Sequence, residues 1–213
     1  MKIAILDFAL GNIYNVQRAL GLFCDSVYIT KSPVDALAAD ALVIPGVGAF
    51  RDGIKNLNSS GLISTIEQFV DSNKPILGIC LGMQLFMERS FEFGEHKGLG
   101  FIKGDVLPFP APESTENHYK VPHVGWSEID PQTSHELLRD IEKPICQYFV
   151  HSLCCHPVNA KNIVGKTTHG RTTFTSIMTH KNIMGIQFHP ERGGPQGLKI
   201  LKNFYELVLK KNS

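Results

Sequence analysis

Cys80 is the residue whose surroundings indicate chemistry most directly. It stands between Gly78 and Gly82, after the apolar run Ile76–Ile79 and before the apolar run Leu81–Met87. A strand, a Gly-x-Cys-x-Gly turn and a helix form the cysteine version of the nucleophile elbow, in which a sharp turn raises one side chain above a sheet. Glycines leave room for such a turn, and the positive end of the helix dipole stabilises a thiolate. A lone cysteine is more often a buried structural residue, but this pattern favours a nucleophile.

His189 is the candidate base for this thiol, because it follows the apolar strand Met184–Phe188 and begins a His-Pro-Glu tripeptide. Residues i and i+2 of an extended segment point to the same side, so Glu191 can reach the imidazole. The carboxylate would hold one tautomer and stabilise the imidazolium that forms when His189 takes the thiol proton. Cys80, His189 and Glu191 are therefore predicted to form a catalytic triad. His151 is a competing base at the end of another apolar strand, but no carboxylate lies two residues beyond it.

A tetrahedral intermediate on this thiol would need hydrogen-bond donors for its oxyanion. The backbone N–H of Leu81, the residue after the nucleophile, is one candidate. The segment Pro45-Gly46-Val47-Gly48 is the second, because two glycines let a peptide plane turn over at low cost. The same glycines could suggest a phosphate loop, but the Gly-Lys-Ser/Thr signature is missing. Cys154-Cys155-His156 could suggest a metal site, but no second ligand pair has zinc spacing, so we predict no metal and no cofactor.

Length and composition narrow the function further. The chain of 213 residues is long enough for one domain over residues 1–213. Charged residues make up 19% and the formal net charge is +1, so nucleic acid and an acidic membrane surface are not expected partners. The N-terminal apolar run meets Asp7 too soon for a signal peptide or a spanning helix. Five cysteines without a Cys-x-x-Cys pair fit free thiols in a reducing compartment, which predicts a cytoplasmic location.

Strands and helices alternate in the first half of the chain. The predicted strands are Lys2–Asp7, Ser26–Ile29, Ala41–Ile44 and Ile76–Ile79, and the predicted helices are Ile13–Phe23, Leu62–Val70 and Leu81–Met87. This alternation predicts a mainly parallel sheet whose ligands bind at the carboxyl ends of the strands. The loops Asp7–Asn12 and Pro45–Phe50 should therefore share one rim with Cys80.

The second half of the chain is richer in strands. Short strand-like runs are predicted at Gly98–Pro108, Val124–Ile129, Ile145–Leu153, Asn162–Thr168, Thr172–Thr179 and Ile183–Phe188. The Pro-rich segment Pro108–Asn117 is predicted to be a mobile loop, and Gln196–Lys210 a closing amphipathic helix. The expected fold is an α/β three-layer sandwich with a mainly parallel central sheet and a small β-rich extension.

The motifs GICLGMQ, QFHPE and PGVGAF together resemble the class I (triad) glutamine amidotransferases. The segments LDFALGNIYNV, KVPHVGW and YFVHS resemble, more narrowly, the glutaminase subunits of imidazole glycerol phosphate synthases. The resemblance covers essentially the whole chain. It implies a class I glutamine amidotransferase fold, with glutamine as the substrate. Cys80 would attack the side-chain amide, ammonia would leave with a proton from His189, and water would hydrolyse the γ-glutamyl thioester.

The resemblance also implies roles for residues outside the triad. Gln84 and Glu92 match positions that hold the α-amino and carboxylate end of glutamine, Tyr148, His151 and Ser152 match the strand lining the same pocket, and Gly46, Val47 and Gly48 match the strand that supplies an oxyanion-hole amide after a peptide flip.

A partner is implied as well. The segments that would face it carry Asn12, Asn15, Lys120, Pro122, His123 and Trp126. The partner implied by the resemblance is a (β/α)8-barrel cyclase subunit that would form a heterodimer with the glutaminase. Ammonia would travel through that barrel to a nucleotide-like intermediate, giving imidazole glycerol phosphate and an aminoimidazole carboxamide ribotide in histidine biosynthesis.

Three positions depart from the narrower resemblance. Leu-Cys-Cys follows YFVHS where an aromatic pair is usual, Ser127 replaces Asn, and HPE continues with Arg192-Gly-Gly in place of Lys-Ser. None touches the triad, but each lies near the pocket or the partner surface, so the ammonia acceptor stays open. The first alternative is a paralogous glutaminase that supplies ammonia for amidating a cell-surface sugar. The others are a cysteine peptidase or γ-glutamyl hydrolase of related fold, and a non-catalytic scaffold.

Overall fold

Short parallel strands form the half of the sheet that carries the predicted nucleophile. The computed structural model describes residues 1–110 and 119–212. In the order β2-β1-β3-β4-β13, neighbouring strands are parallel, and all but β2 are completely buried. Their bounds are β1 (Ile3–Leu6), β2 (Val27–Thr30), β3 (Ala41–Gly46), β4 (Ile76–Cys80) and β13 (Ile183–Ile186).

Helices cover both faces of this parallel half. Alternate residues of β1 show the division, because Ile3 and Ile5 pack into one core while Ala4 and Leu6 pack into the other. The first core is closed by α1 (Ile13–Leu20) and α6 (Gly194–Asn212), and the second by α2 (Pro33–Leu37), α3 (Phe50–Ser59), α4 (Leu62–Asp71) and α5 (Leu81–Leu85). The predicted three-layer α/β sandwich is thereby confirmed. Among the described residues, the helices all lack the length and apolar character needed to cross a membrane.

The β-rich half continues the same sheet. Strand β12 pairs antiparallel with β13, and the sheet runs on in the order β12-β10-β7-β5-β6, with β11, β8 and β9 branching from β12. The strands are β5 (Met87–Ser90), β6 (His96–Lys97), β7 (Ile102–Pro108), β8 (His123–Pro131), β9 (Ile145–His151), β10 (Leu153–Pro157), β11 (Ile163–His169) and β12 (Thr172–His180). The predicted extension is therefore continuous with the central sheet.

Some elements differ from the sequence prediction. Met87 begins β5 and does not end a helix, because it pairs with Ile102 of β7. The run predicted as one strand over residues 145–153 divides at Ser152, since β9 pairs with β8 whereas β10 pairs with β7 and β12. Helices α2 and α3 were not predicted. Helix α3 contains Gly53, whose helix propensity is low, but it buries one face against the core.

The loop prediction can be followed only at its start. Pro108 ends β7, while residues 111–117 of the predicted mobile segment lie outside the described residues.

The predicted rim forms at the carboxyl ends of β1, β3 and β4. Gly46 pairs in register with Cys80, and the loop after β1 reaches the same edge. A side-chain carbon placed on Gly11 would lie 3.2 Å from the carbonyl oxygen of Pro45, so these two loops are in contact. The three segments that the sequence singled out therefore surround one site.

Candidate active site

Cys80 has the strained backbone of a nucleophile elbow. It is the last residue of β4 and the residue before α5, with φ of 54° and ψ of −110°. Non-glycine residues rarely adopt a positive φ, and such strain is concentrated at functional sites. A side-chain carbon on Gly82 would lie 1.7 Å from the carbonyl oxygen of Ile44, and one on Gly78 would lie 2.4 Å from the Phe86 ring. The two glycines thus let α5 pack directly on β3 and hold the turn in place.

His189 and Glu191 form a buried pair. The Nδ1–H of His189 donates to Oε1 of Glu191 at 2.8 Å, and both side chains are almost fully buried. The contact arises in a 3₁₀ turn, Pro190–Arg192, and not in the extended segment that the sequence suggested. Proline is well suited to the first position of a helical turn, so Pro190 starts the turn that swings Glu191 back to the ring. The backbone N–H of His189 is tied to the carbonyl of Tyr148 at 2.9 Å.

Nε2 of His189 is the nitrogen left to exchange a proton with Cys80. Nδ1 is occupied by Glu191, whereas Nε2 is buried without a hydrogen-bond partner among the described residues. Burial lowers the pKa of His189, but Cys80 and Glu191 together outweigh it and raise the pKa to about 10. Cys80 raises the pKa of His189 although the structure shows no hydrogen bond between its sulfur and Nε2. Once His189 has taken the thiol proton, its imidazolium form is therefore favoured.

A cavity of about 340 Å³ opens beside Cys80, and we call it the Cys80 cavity. It is lined by Val47, Gly48, Cys80, Leu81, Gln84, Glu92, Pro122, Val150, His151, Ser152 and Leu153. Most of the residues predicted to bind substrate are among them. Gly46 lies just behind, paired with Cys80 and packed against Leu81. A larger hollow of about 550 Å³ around residues 131–145 contains none of the predicted site residues.

Gln84 and Glu92 are both held by contacts with the protein. One carboxylate oxygen of Glu92 accepts from the backbone N–H of Phe50 at 2.6 Å, where the first turn of α3 favours a negative charge. Gln84 is 3% exposed, and its Nε2 donates to the carbonyl of Leu153 at 3.5 Å and to Oε1 of Gln187 at 3.1 Å. Glu92 therefore has its second oxygen, and Gln84 its carbonyl oxygen, as the groups that could meet a ligand.

Tyr148 does not line the Cys80 cavity. The lining of the cavity includes Val150 but not Tyr148, whose ring packs beside Trp126 and Arg192 instead. The Tyr148 ring lies 6.1 Å from Trp126 and 4.5 Å from the guanidinium of Arg192. Its predicted place in the pocket is therefore wrong, and it belongs to the outer surface beside Trp126.

The residues predicted to face a partner divide into two groups. Asn12, Asn15, Lys120, Pro122 and Trp126 are exposed, as a contact surface requires.

His123 is the exception in this set, because it is 2% exposed. Its ring stacks between Phe149 at 4.9 Å and His169 at 4.0 Å, on the inward side of β8. The prediction that His123 faces a partner is therefore wrong, and the residue belongs to a buried aromatic cluster.

A chain of hydrogen bonds determines the tautomers of two buried histidines. The carbonyl of Leu153 can only accept, so His151 donates to it from Nδ1 at 2.8 Å. Nε2 of His151 then accepts from Nδ1 of His123 at 3.1 Å, and Nε2 of His123 accepts from the hydroxyl of Ser127 at 2.9 Å. Both ring nitrogens of His151 are thus engaged, which argues against the competing base that the sequence left open.

Acid is expected to destabilise the fold through these two histidines. Burial lowers the pKa of His123 to about 4, with His169 adding to the effect, and burial likewise lowers the pKa of His151 to about 3. The ordinary value in an unfolded chain is about 6.5. Between pH 6.5 and 4.5 the unfolded chain therefore binds more protons than the folded chain, and stability falls as the pH falls. His189 has a raised pKa, so its contribution is constant below pH 6.5 and is lost only as the pH rises toward 10.

As the pH falls through this range, we expect each of the two histidines to lower the free energy of unfolding by about 1.4 kcal/mol for every pH unit. Urea unfolding of the wild type and of His123→Asn at several pH values measures the two slopes. The free energy of unfolding of the variant should depend less steeply on pH than that of the wild type, by the equivalent of about one bound proton. Equal slopes would contradict the low pKa of His123.

Cys154 and Cys155 are placed where they cannot share an ion. They are neighbours on β10, so Cys154 packs into one core and Cys155 into the other. Burial raises the pKa of both thiols. The geometry therefore gives no support to a metal site at Cys154-Cys155-His156, which the sequence pattern did not favour either.

Gln187 is a site residue to which the sequence analysis assigned no role. Its Nε2 lies 3.6 Å from the sulfur of Cys80. The signal was present in the QFHPE motif, where a polar residue with no assigned function interrupts the apolar run Met184–Phe188 two positions before the base.

Comparisons with known proteins show which family this chain belongs to. The sequence pattern of the family described as Glutamine amidotransferase class-I matches residues 4–208. The imidazole glycerol phosphate synthase subunit HisH of Sulfurimonas denitrificans is 45% identical over 95% of this chain and 96% of its own length. HisH 1 of Legionella pneumophila (strain Lens) is 40% identical over 97% and 99%.

Solved structures show the same fold at low sequence identity. A glutamine amidotransferase crystal structure has a TM-score of 0.74 at 14% identity, covering 98% of this chain and 99% of that one. PurLQS from Thermotoga maritima has a TM-score of 0.70 at 15% identity, covering 100% and 99%. The fold, the full-length sequence match and the HisH relatives agree, and the chain belongs to the class-I glutamine amidotransferases, within the HisH subunits of imidazole glycerol phosphate synthases.

Proposed function

We propose that this chain hydrolyses glutamine to glutamate and ammonia on Cys80, as the glutaminase subunit of an imidazole glycerol phosphate synthase. The observation that carries the proposal is the strained Cys80 at the edge of the Cys80 cavity, next to the buried His189–Glu191 pair. A structural cysteine would have no need of a strained backbone or of a neighbouring base held by a carboxylate.

The proposed reaction uses one proton carrier throughout. The thiol proton of Cys80 moves to Nε2 of His189 as the sulfur attacks the amide carbon of glutamine. The C–N bond breaks as the imidazolium returns the proton to the nitrogen, which leaves as ammonia. Water then gives a proton to His189 as it attacks the thioester carbon. The C–S bond breaks, the sulfur takes that proton back from His189, and glutamate leaves. Glu191 keeps the proton of Nδ1 in place and stabilises the imidazolium at each step.

The walls of the Cys80 cavity suggest how glutamine is held. The free carboxylate oxygen of Glu92 would accept from the α-ammonium group, and Gln84 and Ser152 offer polar groups nearby. The N–H of Leu81 would donate to the oxyanion. The second donor would come from the Gly46–Gly48 segment, whose Gly48 has a φ of 104° and whose Val47 is 40% exposed. A peptide flip at Val47 is the proposed switch, with the partner selecting the competent state.

Channelling to a partner explains where the ammonia goes. Free ammonia in neutral water is mostly protonated and not nucleophilic, so a protected route keeps it reactive. The proposed partner is a (β/α)8-barrel cyclase subunit that binds the exposed surface around Asn12, Asn15, Lys120, Pro122 and Trp126. Val121, Val124 and Trp126 are 42%, 56% and 57% exposed there, which gives this surface the apolar area that an interface buries. A cytoplasmic location is part of the same proposal.

A labelling experiment tests the glutaminase assignment. A diazoketone analogue of glutamine should add one equivalent to Cys80, measured by peptide mass spectrometry, and excess glutamine should protect the thiol. Labelling of another residue, or protection by a peptide substrate in place of glutamine, would contradict it and favour a peptidase.

Complementation tests the acceptor of the ammonia. We expect the chain, supplied with its cognate barrel, to rescue a bacterium that cannot make histidine because it lacks its own glutaminase subunit. Glutaminase activity without rescue would favour the paralogue that serves a cell-surface sugar. Glutamine hydrolysis by the isolated chain at the rate of the complex would contradict the partner-controlled switch.

A further inference from the structure

Gln187 approaches the nucleophile from the same strand end as the base. It is completely buried and follows β13 directly, and its backbone N–H donates to the carbonyl of Ser176 on β12 at 2.9 Å. Its side-chain Nε2 lies 3.6 Å from the sulfur of Cys80. Residues 187 and 189 differ by two positions, so the amide and the imidazole leave the chain on the same side. Cys80 thus has two neighbours of different kinds, an ionisable ring and a neutral amide.

The orientation of the Gln187 amide is determined by the backbone carbonyl of Leu153, through a short series of hydrogen bonds. Leu153 can only accept, so Gln84 turns its NH₂ group toward that oxygen. The same NH₂ group donates to Oε1 of Gln187 at 3.1 Å, which leaves the NH₂ group of Gln187 facing the sulfur. If the Gln187 amide were reversed, its NH₂ would face the NH₂ of Gln84 and its oxygen would face the sulfur. Gln84 therefore donates to both Leu153 and Gln187, and the Gln187 amide in turn presents a donor to the sulfur of Cys80.

A donor in this position distinguishes the two forms of the sulfur. A neutral thiol is a weak acceptor, whereas a thiolate forms a charge-assisted hydrogen bond, which is roughly twice as strong as a neutral one. Gln187 is completely buried and is not among the residues that line the Cys80 cavity, so its amide meets the sulfur inside the protein. The anion forms when His189 takes the thiol proton, and it forms again when the thioester C–S bond breaks.

We propose that Gln187 is a catalytic hydrogen-bond donor that stabilises the anionic sulfur of Cys80, and that Gln84 is a positioning residue that holds the Gln187 amide in the donating orientation. This assignment rests on the proposed glutaminase function of the same site. It gives Gln84 a second task, because the residue also lines the cavity in which glutamine would bind. The two residues then act on the sulfur in different ways. His189 moves its proton, and Gln187 stabilises the negative charge that remains.

The test measures the alkylation of Cys80 by iodoacetamide as a function of pH, with each cysteine resolved by peptide mass spectrometry. The reagent reports the thiolate and needs no glutamine. Gln187→Met keeps an unbranched side chain of similar length but removes the donor. We expect its Cys80 to react about tenfold more slowly at neutral pH, the ratio that a typical net hydrogen bond of about 1.4 kcal/mol supplies, with the midpoint displaced to higher pH. Gln187→Glu, whose carboxylate would repel the thiolate, should react more slowly still.

Three controls keep the result specific. Gln187→Asn retains an amide but is one methylene too short to reach the sulfur, so it should behave like Gln187→Met and serves in its place if that variant fails to fold. Gln84→Met should slow alkylation in the wild-type background and have no further effect in the Gln187→Met background, because positioning matters only while the donor is present. Thermal unfolding of each variant records its structural cost.

The outcomes separate the two proposals. An unchanged pH midpoint in folded Gln187→Met or Gln187→Asn would overturn the assignment of Gln187, even if their stability were lower. An equal effect of Gln84→Met in both backgrounds would overturn the assignment of Gln84. A chain that shows the expected alkylation profiles but cannot hydrolyse glutamine, alone or with its barrel, would refute the proposed function and leave the donor role of Gln187 intact.

Discussion

Replacement of Cys80 by alanine is expected to lower kcat for glutamine hydrolysis by about 10⁶-fold, the loss seen when a covalent nucleophile is removed from a catalytic triad. Alanine retains the backbone strain at φ of 54° and packs in the same place, so the variant should fold normally. Glutamate release in the presence of the cognate barrel measures the activity, and circular dichroism measures the fold. Cys146→Ala is a matched control, because it removes a free, partly buried thiol from a strand that contributes no nucleophile.

Replacement of either of the other two triad residues is expected to lower kcat by a similar or smaller factor. His189→Asn removes the only proton carrier of the proposed reaction and should cost nearly as much as Cys80→Ala. Glu191→Gln keeps the shape but not the charge, and should cost about 10⁴-fold, as for other triad carboxylates. Glutaminase activity that survives His189→Asn but is lost in His151→Asn would contradict the triad and restore the competing base.

Replacement of Gly82 by alanine is expected to prevent stable folding. The added carbon would lie 1.7 Å from the carbonyl oxygen of Ile44, and both groups are fixed to backbone, so no side-chain rotation can relieve the clash. Helix α5 would have to move away from β3, which would also displace Cys80. Folded domains of this kind are stable by only about 5–15 kcal/mol, so the loss of this contact is of the same order as the whole stability.

Soluble yield and urea unfolding measure this effect. Gly61→Ala is the matched control, because a carbon added there meets nothing within 4 Å and the φ of 72° should cost only about 1–2 kcal/mol. A Gly82→Ala protein with wild-type stability and normal alkylation of Cys80 would show that α5 and β3 are less tightly packed than the structure indicates.

Several features of this protein could be predicted from the sequence because their causes are local. The apolar runs of β1, β3 and β4 are continuous because these strands are buried on both faces. The helical spacing of α1, α4 and α6 reflects one apolar face each. The elbow is equally local, because the apolar strand, the Gly-x-Cys-x-Gly turn and the helix follow one another directly in the chain. These patterns were sufficient for the fold class and for the rim that surrounds Cys80.

Other features depend on pairings between segments that are far apart in the chain. His123 was expected at the surface and Tyr148 in the pocket, and both expectations were reversed by the register of β8 against β9, which places His123 opposite His151. A shift of one residue would exchange the faces of every side chain on these strands, and alternation within one strand does not reveal that register.

The contacts of the sulfur belong to the same class. Gln187 is separated by 107 positions from Cys80 and by 103 from Gln84, and the three meet only because β13 lies beside β4 in the sheet. The sequence by itself therefore determined which residue is raised on the turn and which histidine has a carboxylate partner, because bond geometry and local spacing decide both. Which amide faces the sulfur, and which histidines are buried and held neutral, was decided only by strand register in the tertiary structure, since long-range pairing places those groups.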